Sequence, residues 1–349
     1  MTNFDAHDYL LDQPGQLIAA VPAVLGFVPE NSVVLVTVEH GSLGCVMRAD
    51  LSGDVYGAVL HMADAAANSG AERVILVIVD EAGAACRLCN QEHRELSDAV
   101  AEALEERDIV LWAAHVVDRI AAGGRWHCVD GCGSNGTVED PAASPLAAEA
   151  VLDGRRLFTN REELLDVITM RDDKRADRLA ELIDSASNAG GQRSDEAARR
   201  DVEHAMAVAA ELAAGGLVTD DDIARLACAL TDPRVRDTLY ALAVGSAGEQ
   251  VEALWALLAR VLPTTWRTEA LVLLAFSAYA RADGPFAGVC LLEPMRANPE
   301  HKMARMLDQA LQTGMRPEQI RELARTGYRL AKRLGVRLPP RRNFGQRAG

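Results

Sequence analysis

The sequence predicts an α/β N-terminal domain with a mixed sheet, followed by an all-α C-terminal domain of helical hairpins, tetratricopeptide-like in part. Three observations carry that expectation. Between Ser32 and about Val129, short β-branched runs alternate with longer amphipathic ones. After Pro141 the strand pattern disappears. Beyond it, helix starts recur with their caps written out. The expected division is a mixed-sheet domain over 1–140, connecting helices and a loop over 141–194, helical hairpins over 195–335, and a basic tail over 336–349.

In chain order, VVLVTV at Val33–Val38 and GCVMRADL at Gly44–Leu51 read as neighbouring strands turned by Glu39-His40-Gly41. A helix follows from about Asp54 to Asn68, because Val55, Val59, Met62, Ala63 and Ala66 share one face at helical spacing. RVILVIV at Arg73–Val79 is apolar at every second position on both faces, the mark of a strand covered on two sides. A second helix is expected from about Gln91 to Glu106. The strand DIVLWAAHVV at Asp108–Val117 comes next, then a turn at Gly123-Gly124 into the short strand RWHCV.

In the second half, Thr219 with Asp222 forms a capping box, and Asp232 stands before Pro233. Thr264 follows Pro263, Asn298 precedes Pro299, and Pro317 opens the last helix. Ile223, Leu226, Ala227 and Leu230 form an apolar stripe, repeated by Met303, Met306, Leu307 and Ala310. Starts at Asp232, Thr264 and Asn298 are 32 and 34 residues apart, close to the period of a two-helix repeat. Leu271, Leu274, Ala275 and Ala287 then fall on positions typical of tetratricopeptide repeats over little more than one unit. An irregular all-helical domain accounts for the same spacing. SNAGGQRSD at Ser187–Asp195 reads as the most exposed loop of the connecting stretch.

Composition narrows the function classes. The 349 residues are 49% hydrophobic and 25% charged, with a formal net charge of -15. So acidic a surface repels nucleic acid and anionic membrane. The exception is the end of the chain, where Arg329, Lys332, Arg333, Arg337, Arg341, Arg342 and Arg347 come without an acidic residue. A tail of that kind docks on an acidic body more readily than it binds nucleic acid. The first residues start acidic at Asp5, Asp8 and Asp12, and Pro22 interrupts their apolar run, so no secretory signal is expected. No apolar run reaches the roughly 18 residues that span a bilayer. Seven unevenly spaced cysteines make a poor disulfide framework and suit a reducing compartment, so a cytoplasmic location is expected.

The stretch RWHCVDGCGSNG, Arg125–Gly136, holds the densest chemistry. Gly131, Gly133 and Gly136 have the spacing of a dinucleotide cradle, but TVEDPAASP follows with no helical period, and the cradle needs a helix N-terminus. His127, Cys128 and Cys132, with Cys86, Cys89 and His93, offer enough soft ligands for a tetrahedral zinc. Against a shared zinc site, parallel strands at Arg73–Val79 and Asp108–Val117 end at one edge with Cys86 and Cys89 above, and the strand after Gly123-Gly124 runs back, putting Cys128 at the opposite edge, about 20 Å away for a six-residue strand. A redox role for Cys128 and Cys132 competes with zinc, and a plain turn built on the glycines competes with both. Cys228 and Cys290 sit on apolar helix faces and belong to the core. Arg48 and Asp50 on the second strand, with Asp118 and Arg125 near the ends of others, are the candidates for a small-molecule site; a structural ion pair is the plainer reading. No nucleophile elbow, zincin or kinase motif occurs, so the expectation leans away from an enzyme and names no catalytic residue and no cofactor beyond zinc.

Several stretches together resemble a known family: LIAAVPAVLGFVPENSVVLVTV, RADL at Arg48–Leu51, GRWHCVDGCGSNGT, and ARADGPFAGVCLLEPMRANPEHKMARMLDQALQTGMRP. They are similar to an actinobacterial family labelled a domain of unknown function, number 4192. Its members carry consecutive cysteines followed by proline in the loop, whereas here Cys132 is followed by Gly133. The resemblance implies an actinobacterial cytosolic protein and no particular activity or substrate. From the residues alone, the leading expectation is a binding or scaffolding protein whose helical hairpins recognise a protein partner, with self-association also open. Alternatives are an enzyme or sensor using the α/β domain, and a thiol or zinc switch at Cys128 and Cys132.

Overall fold

The computed structural model describes residues 13–39, 41–86, 88–152, 155–188 and 194–342. The turn residue His40, the acidic start at Asp5, Asp8 and Asp12, the middle of the expected loop at 189–193 and the tail beyond Arg342, with Arg347, lie outside them. The chain forms two compact units, Met1–Leu164 with Gln312–Gly314, and Leu165–Leu311 with Met315–Gly349. The division falls inside the stretch 141–194 that reads as connecting.

The first unit is an α/β domain with a mixed six-stranded sheet in the order β2-β1-β3-β4-β5-β6. β1 (Ser32–Glu39) and β2 (Ser42–Asp50) form a hairpin with an irregularity between Val36 and Val38. β1 also pairs antiparallel with β3 (Arg73–Val79), so it is flanked on both sides and almost entirely buried. β3 and β4 (Val110–Val117) are parallel. β4, β5 (Arg125–Cys128) and β6 (Asn135–Thr137) then alternate in direction.

Helix α1 is Pro14–Leu25. Helix α2 (Val55–Ser69) starts where the Asp54 carboxylate accepts the Gly57 N–H and stops at Gly70 with φ 82. Helix α3 (Cys89–Glu105) makes the crossover from β3 to β4. Val59, Met62, Ala63 and Ala66 of α2 and Leu96, Val100, Ala103 and Leu104 of α3 close over Val33, Leu35, Val74, Leu76, Ile78, Ala114 and Val116. Each large aliphatic side chain buried this way contributes about 1.5–3 kcal/mol relative to exposure. Helix α4 (Pro145–Leu152) packs Leu146 and Ala147 against Ala20 and Ala23 of α1, with Leu43 of β2 alongside. A Cβ on Gly15 would collide with the Thr137 carbonyl, so only glycine lets α1 approach β6 this closely.

Short helix α5 (Arg161–Asp166) spans the division. The second unit is all-α: α6 (Asp173–Asn188), α7 (Asp195–Ala213), α8 (Asp220–Leu230), α9 (Pro233–Leu239), α10 (Gly248–Val261), α11 (Thr264–Ala280), α12 (Gly284–Ala297), α13 (Lys302–Gln312) and α14 (Pro317–Leu334). The capping box of Thr219 and Asp222 is formed, and Asp232 caps α9 ahead of Pro233. Thr264 is the first helical residue rather than a cap, because Pro263 holds the N-cap position without a side-chain bond. Antiparallel hairpins α10–α11 and α11–α12 are the tightest helix pairs. Every residue from Ala270 to Ala280 is buried, so the last three turns of α11 are enclosed on all sides and serve as the axis of the unit. The start of the basic tail turns back: Ser246 N–H donates to Pro340 O, Arg342 N–H to Val244 O, and the Tyr328 hydroxyl to Pro339 O. Among the described residues, no helix is long and apolar enough to cross a membrane.

Candidate functional site

The four charged candidates occupy one edge of the sheet without converging. Asp50 pairs with Ser32, Ser32 with Val79, Val79 with Val117, and Val117 with Trp126, so all lie in one row across the strands. β2 and β5 are nevertheless four strand spacings apart, about 19 Å. Locally, each pair is employed in structure. Arg48 meets Asp50 at 2.6 Å, donates from Nε to Ser32 Oγ at 2.8 Å and lies over the Phe27 ring. Asp118 accepts the N–H groups of Arg119 and Arg125 at 2.7 and 2.8 Å, which closes the turn between β4 and β5; the Arg125 guanidinium is 3.7 Å away.

The loop within Arg125–Gly136 is a hairpin connection between β5 and β6. Gly131 and Gly133 adopt φ of 70 and 87, the left-handed conformation that favours glycine, whereas Asn135 and Gly136 are in β6. Gly136 serves a different purpose, since a Cβ there would stand about 3 Å from the Trp126 ring. No helix start follows it, as a dinucleotide cradle would require.

The travel of β5 is antiparallel to β4, but the expected placement of Cys128 at the opposite sheet edge needs correction. β5 has only four residues, with Trp126 beside Val117 and Cys128 beside His115, so it never reaches the other end of β4. His127 accordingly reaches the segment before α3, with Nε2 2.9 Å from Ala84 O, and Arg94 of α3 donates to Val129 O. The segments carrying the two cysteine pairs are therefore neighbours. Even so, no group of three or more His, Cys, Asp or Glu side chains among the described residues is placed to hold a metal ion.

In each cysteine pair one thiol acts on the ionisation of the other. Cys132 is exposed, and its thiol pKa is lowered by hydrogen bonds from the Ser134 side chain and backbone, then from Cys128. Cys128 is half-buried and its pKa is raised, first by desolvation and then by Cys132. One thiol of the pair thus ionises more readily than its neighbour. The same asymmetry recurs before α3: Cys86 is lowered by the Cys89 backbone, the Cys89 thiol and the Leu88 backbone, and Cys89 is raised, chiefly by its bond to Cys86. Cys45, raised by burial, and Cys228 and Cys290, both buried, lie apart from these pairs in the sequence and fold.

Two residues beside these thiols, Asp80 and His115, escape a reading of the sequence. Asp80 Oδ2 and His93 Nε2 are 3.0 Å apart, with His93 only 5% exposed. Asp80 directly follows the C-terminal end of a central parallel strand, where α/β sheets place functional groups, and that position was a usable signal. His115, the strand partner of Cys128, is buried edge-on against Trp126 and its pKa is lowered to about 4, mainly by desolvation. Nothing in its local sequence marks it.

No curated protein and no solved structure matches the chain. Residues 14–318, most of both units, match the family model described as Domain of unknown function (DUF4192), and the chain belongs to that family.

Proposed function

We propose that the protein is a thiol redox switch whose sensor is the Cys128–Cys132 pair on the β5–β6 hairpin. The observation that carries this reading is the asymmetry of the pair, an exposed Cys132 whose thiol ionises more readily than usual and a half-buried Cys128 whose thiol ionises less readily, each acting on the other. With a hydroperoxide as oxidant, the Cys132 thiolate attacks the peroxide oxygen, becoming a sulfenic acid and releasing water or alcohol. The Cys128 sulfur then displaces the sulfenic oxygen as a second water, leaving a disulfide. Two thiols and one hydroperoxide are consumed. The loop's two left-handed glycines give it the conformational freedom to close the ring. Arg94, bonded to Val129 O and close to Gly131, connects that change to α3.

A reducing cytoplasm is part of this reading, because all seven cysteines are free thiols. Two other readings have less to rest on. A small-molecule site at Arg48, Asp50, Asp118 and Arg125 would need groups that stand about 19 Å apart to converge. A partner-binding groove on the helical hairpins would have to lie outside Ala270–Ala280 of α11, which are buried.

The test is oxidation of the whole protein with one equivalent of hydrogen peroxide, followed by alkylation and peptide mass spectrometry. A disulfide linking Cys128 and Cys132, absent in Cys132→Ser and reversed by dithiothreitol, is expected. Oxidation of Cys132 to the sulfinic acid with Cys128 still alkylatable would end the proposal.

A further inference from the structure

The hairpin thiols belong to the α/β unit, whereas the helical unit carries a surface of opposite sign to the chain as a whole. The formal net charge is -15, yet no residue after Glu322 is acidic. α14 buries Ile320, Ala324, Gly327 and Ala331 along one face, and helical spacing then turns Arg329, Lys332 and Arg333 outward. Gly335, with φ 73, ends the helix, and Val336 is buried where the chain turns. The Tyr328 hydroxyl donates to Pro339 O at 2.9 Å, which brings the segment carrying Arg337 and Arg341 back along the C-terminal half of α14. All five cations are exposed.

A basic tail on an acidic body is expected to neutralise itself, and here it does so only in part. Backbone bonds from Ser246 N–H to Pro340 O and from Arg342 N–H to Val244 O hold the segment, and Arg342 meets Glu249 at 3.4 Å. Upstream, Arg325 is paired with Glu322. The five cations between these two pairs meet no carboxylate among the described residues; Arg329 donates to the Thr326 hydroxyl at 2.9 Å. Lys332 and Arg333 also oppose the negative end of the helix dipole, a role that Arg329, Arg337 and Arg341 do not share. Exposed charges further apart than about 8 Å are largely screened at physiological salt, so the local cluster rather than the net charge sets the potential here. Glu322 stands about 10 Å back along the helix axis from Arg329.

We propose that this surface binds the phosphate backbone of duplex DNA without reading its sequence. Guanidinium and ammonium groups only donate, and ionised phosphate oxygens only accept. B-DNA presents one charge per about 1.7 Å of its axis, dense enough to meet cations that rise along α14 in steps of about 4.5–6 Å. An anionic membrane is held by an apolar helix face beside the cations, but the apolar stripe of α14 is buried within the unit. An acidic protein partner needs a desolvated apolar centre, which the cationic face lacks. A single strand stacks its bases on exposed aromatic rings, and Tyr328, the one aromatic residue of α14, is half-buried with its hydroxyl tied to Pro339.

Full-length protein is titrated against a short fluorescein-labelled DNA duplex, with anisotropy followed at several salt concentrations. Binding is expected to be equal for two duplexes of unrelated sequence. Its log–log dependence on salt should have a slope of about -4.5, as five phosphate contacts require. Arg329→Gln/Arg333→Gln/Arg337→Gln should weaken binding by about tenfold or more and flatten that slope by about three, with the urea midpoint unchanged. Arg178→Gln, at an exposed position of α6, should change neither. Duplex RNA, polyglutamate and phosphatidylserine vesicles serve as competitors. RNA should bind no tighter than DNA, because the cations offer no acceptor to its 2′-hydroxyls, and the other two should bind more weakly. Absence of DNA binding at low salt, an unweakened triple variant, equal weakening by Arg178→Gln, dependence on sequence, or a competitor that departs from this order overturns the proposal.

Discussion

His127 Nε2 lies 2.9 Å from the carbonyl oxygen of Ala84, a bond across 43 residues that joins the β5–β6 hairpin to the segment leading into α3. A carbonyl only accepts, so Nε2 donates in this bond, and Nδ1 faces a second backbone carbonyl, that of Cys128, at 3.2 Å. The bond is therefore structural, and it holds Cys128 beside β4. His127→Phe should cost about 1 kcal/mol in a urea titration. Hydrogen exchange should rise at 84–86 and 127–129 together. A variant with wild-type stability and exchange would show that the bond contributes nothing.

Ser134 favours ionisation of the Cys132 thiol. Its side-chain and backbone hydrogen bonds are the first two causes that hold the Cys132 thiol below its ordinary range, and they act by favouring the thiolate. In the reduced protein, iodoacetamide should modify Cys132 ahead of Cys128, whose thiol burial pushes up. Ser134→Ala removes a bond to the charged form, so the pH midpoint for Cys132 alkylation should move upward. An unchanged midpoint would assign the reactivity to exposure alone.

What the sequence conveyed and what it hid follow from interaction range. α2 is legible to within a residue because Asp54 caps it, Gly70 ends it, and Val59, Met62, Ala63 and Ala66 mark its buried face. Strands β1 to β4 are equally plain in their β-branched runs. By contrast, α1 contains Pro22, which reads as an interruption; in the structure the helix runs from Pro14 through Pro22 to Leu25. β6 has three residues and depends on Trp126 covering Gly136, a contact with no local signature. The direction of β5 is legible but its length is not, because pairing with β4 stops at His115. The cysteine pairs are visible as spacing. Asp80 beside His93, and His115 beside Cys128, exist only once the sheet and α3 are assembled.

In the helical unit the strongest single electrostatic commitment is Arg281, at the end of α11. It makes a bidentate pair with Glu252 at 2.9 and 2.9 Å and meets Asp283 at 2.9 Å, while Asp283 also caps α12 through the Phe286 N–H. All three side chains are largely buried. Arg281→Met strands two carboxylates, a change that typically costs about 3–5 kcal/mol. Arg281→Lys should recover part of the loss, because one ammonium cannot reproduce the fork. Equal stabilities for the Met variant and the wild type, measured by guanidinium unfolding, would mean that water replaces the arginine at no cost.

His115 gives the α/β unit a defined acid sensitivity. Burial lowers its pKa to about 4, from an ordinary value of 6.5, and nearby His127 acts in the same direction while Asp130 opposes it. A histidine depressed on folding binds fewer protons in the folded state than in the unfolded one between those two values. At pH 7 it is neutral in both states and costs nothing. As pH falls from 6.5 towards 4 the unfolded chain takes up a proton that the folded chain refuses, and stability drops by about 3 kcal/mol before levelling off. His115→Gln removes this titration, so its urea midpoint should decline less steeply between pH 7 and pH 4.5 than that of the wild type, even if it starts lower. Parallel curves for the two proteins would place the acid sensitivity elsewhere and show that His115 accepts its proton within the fold.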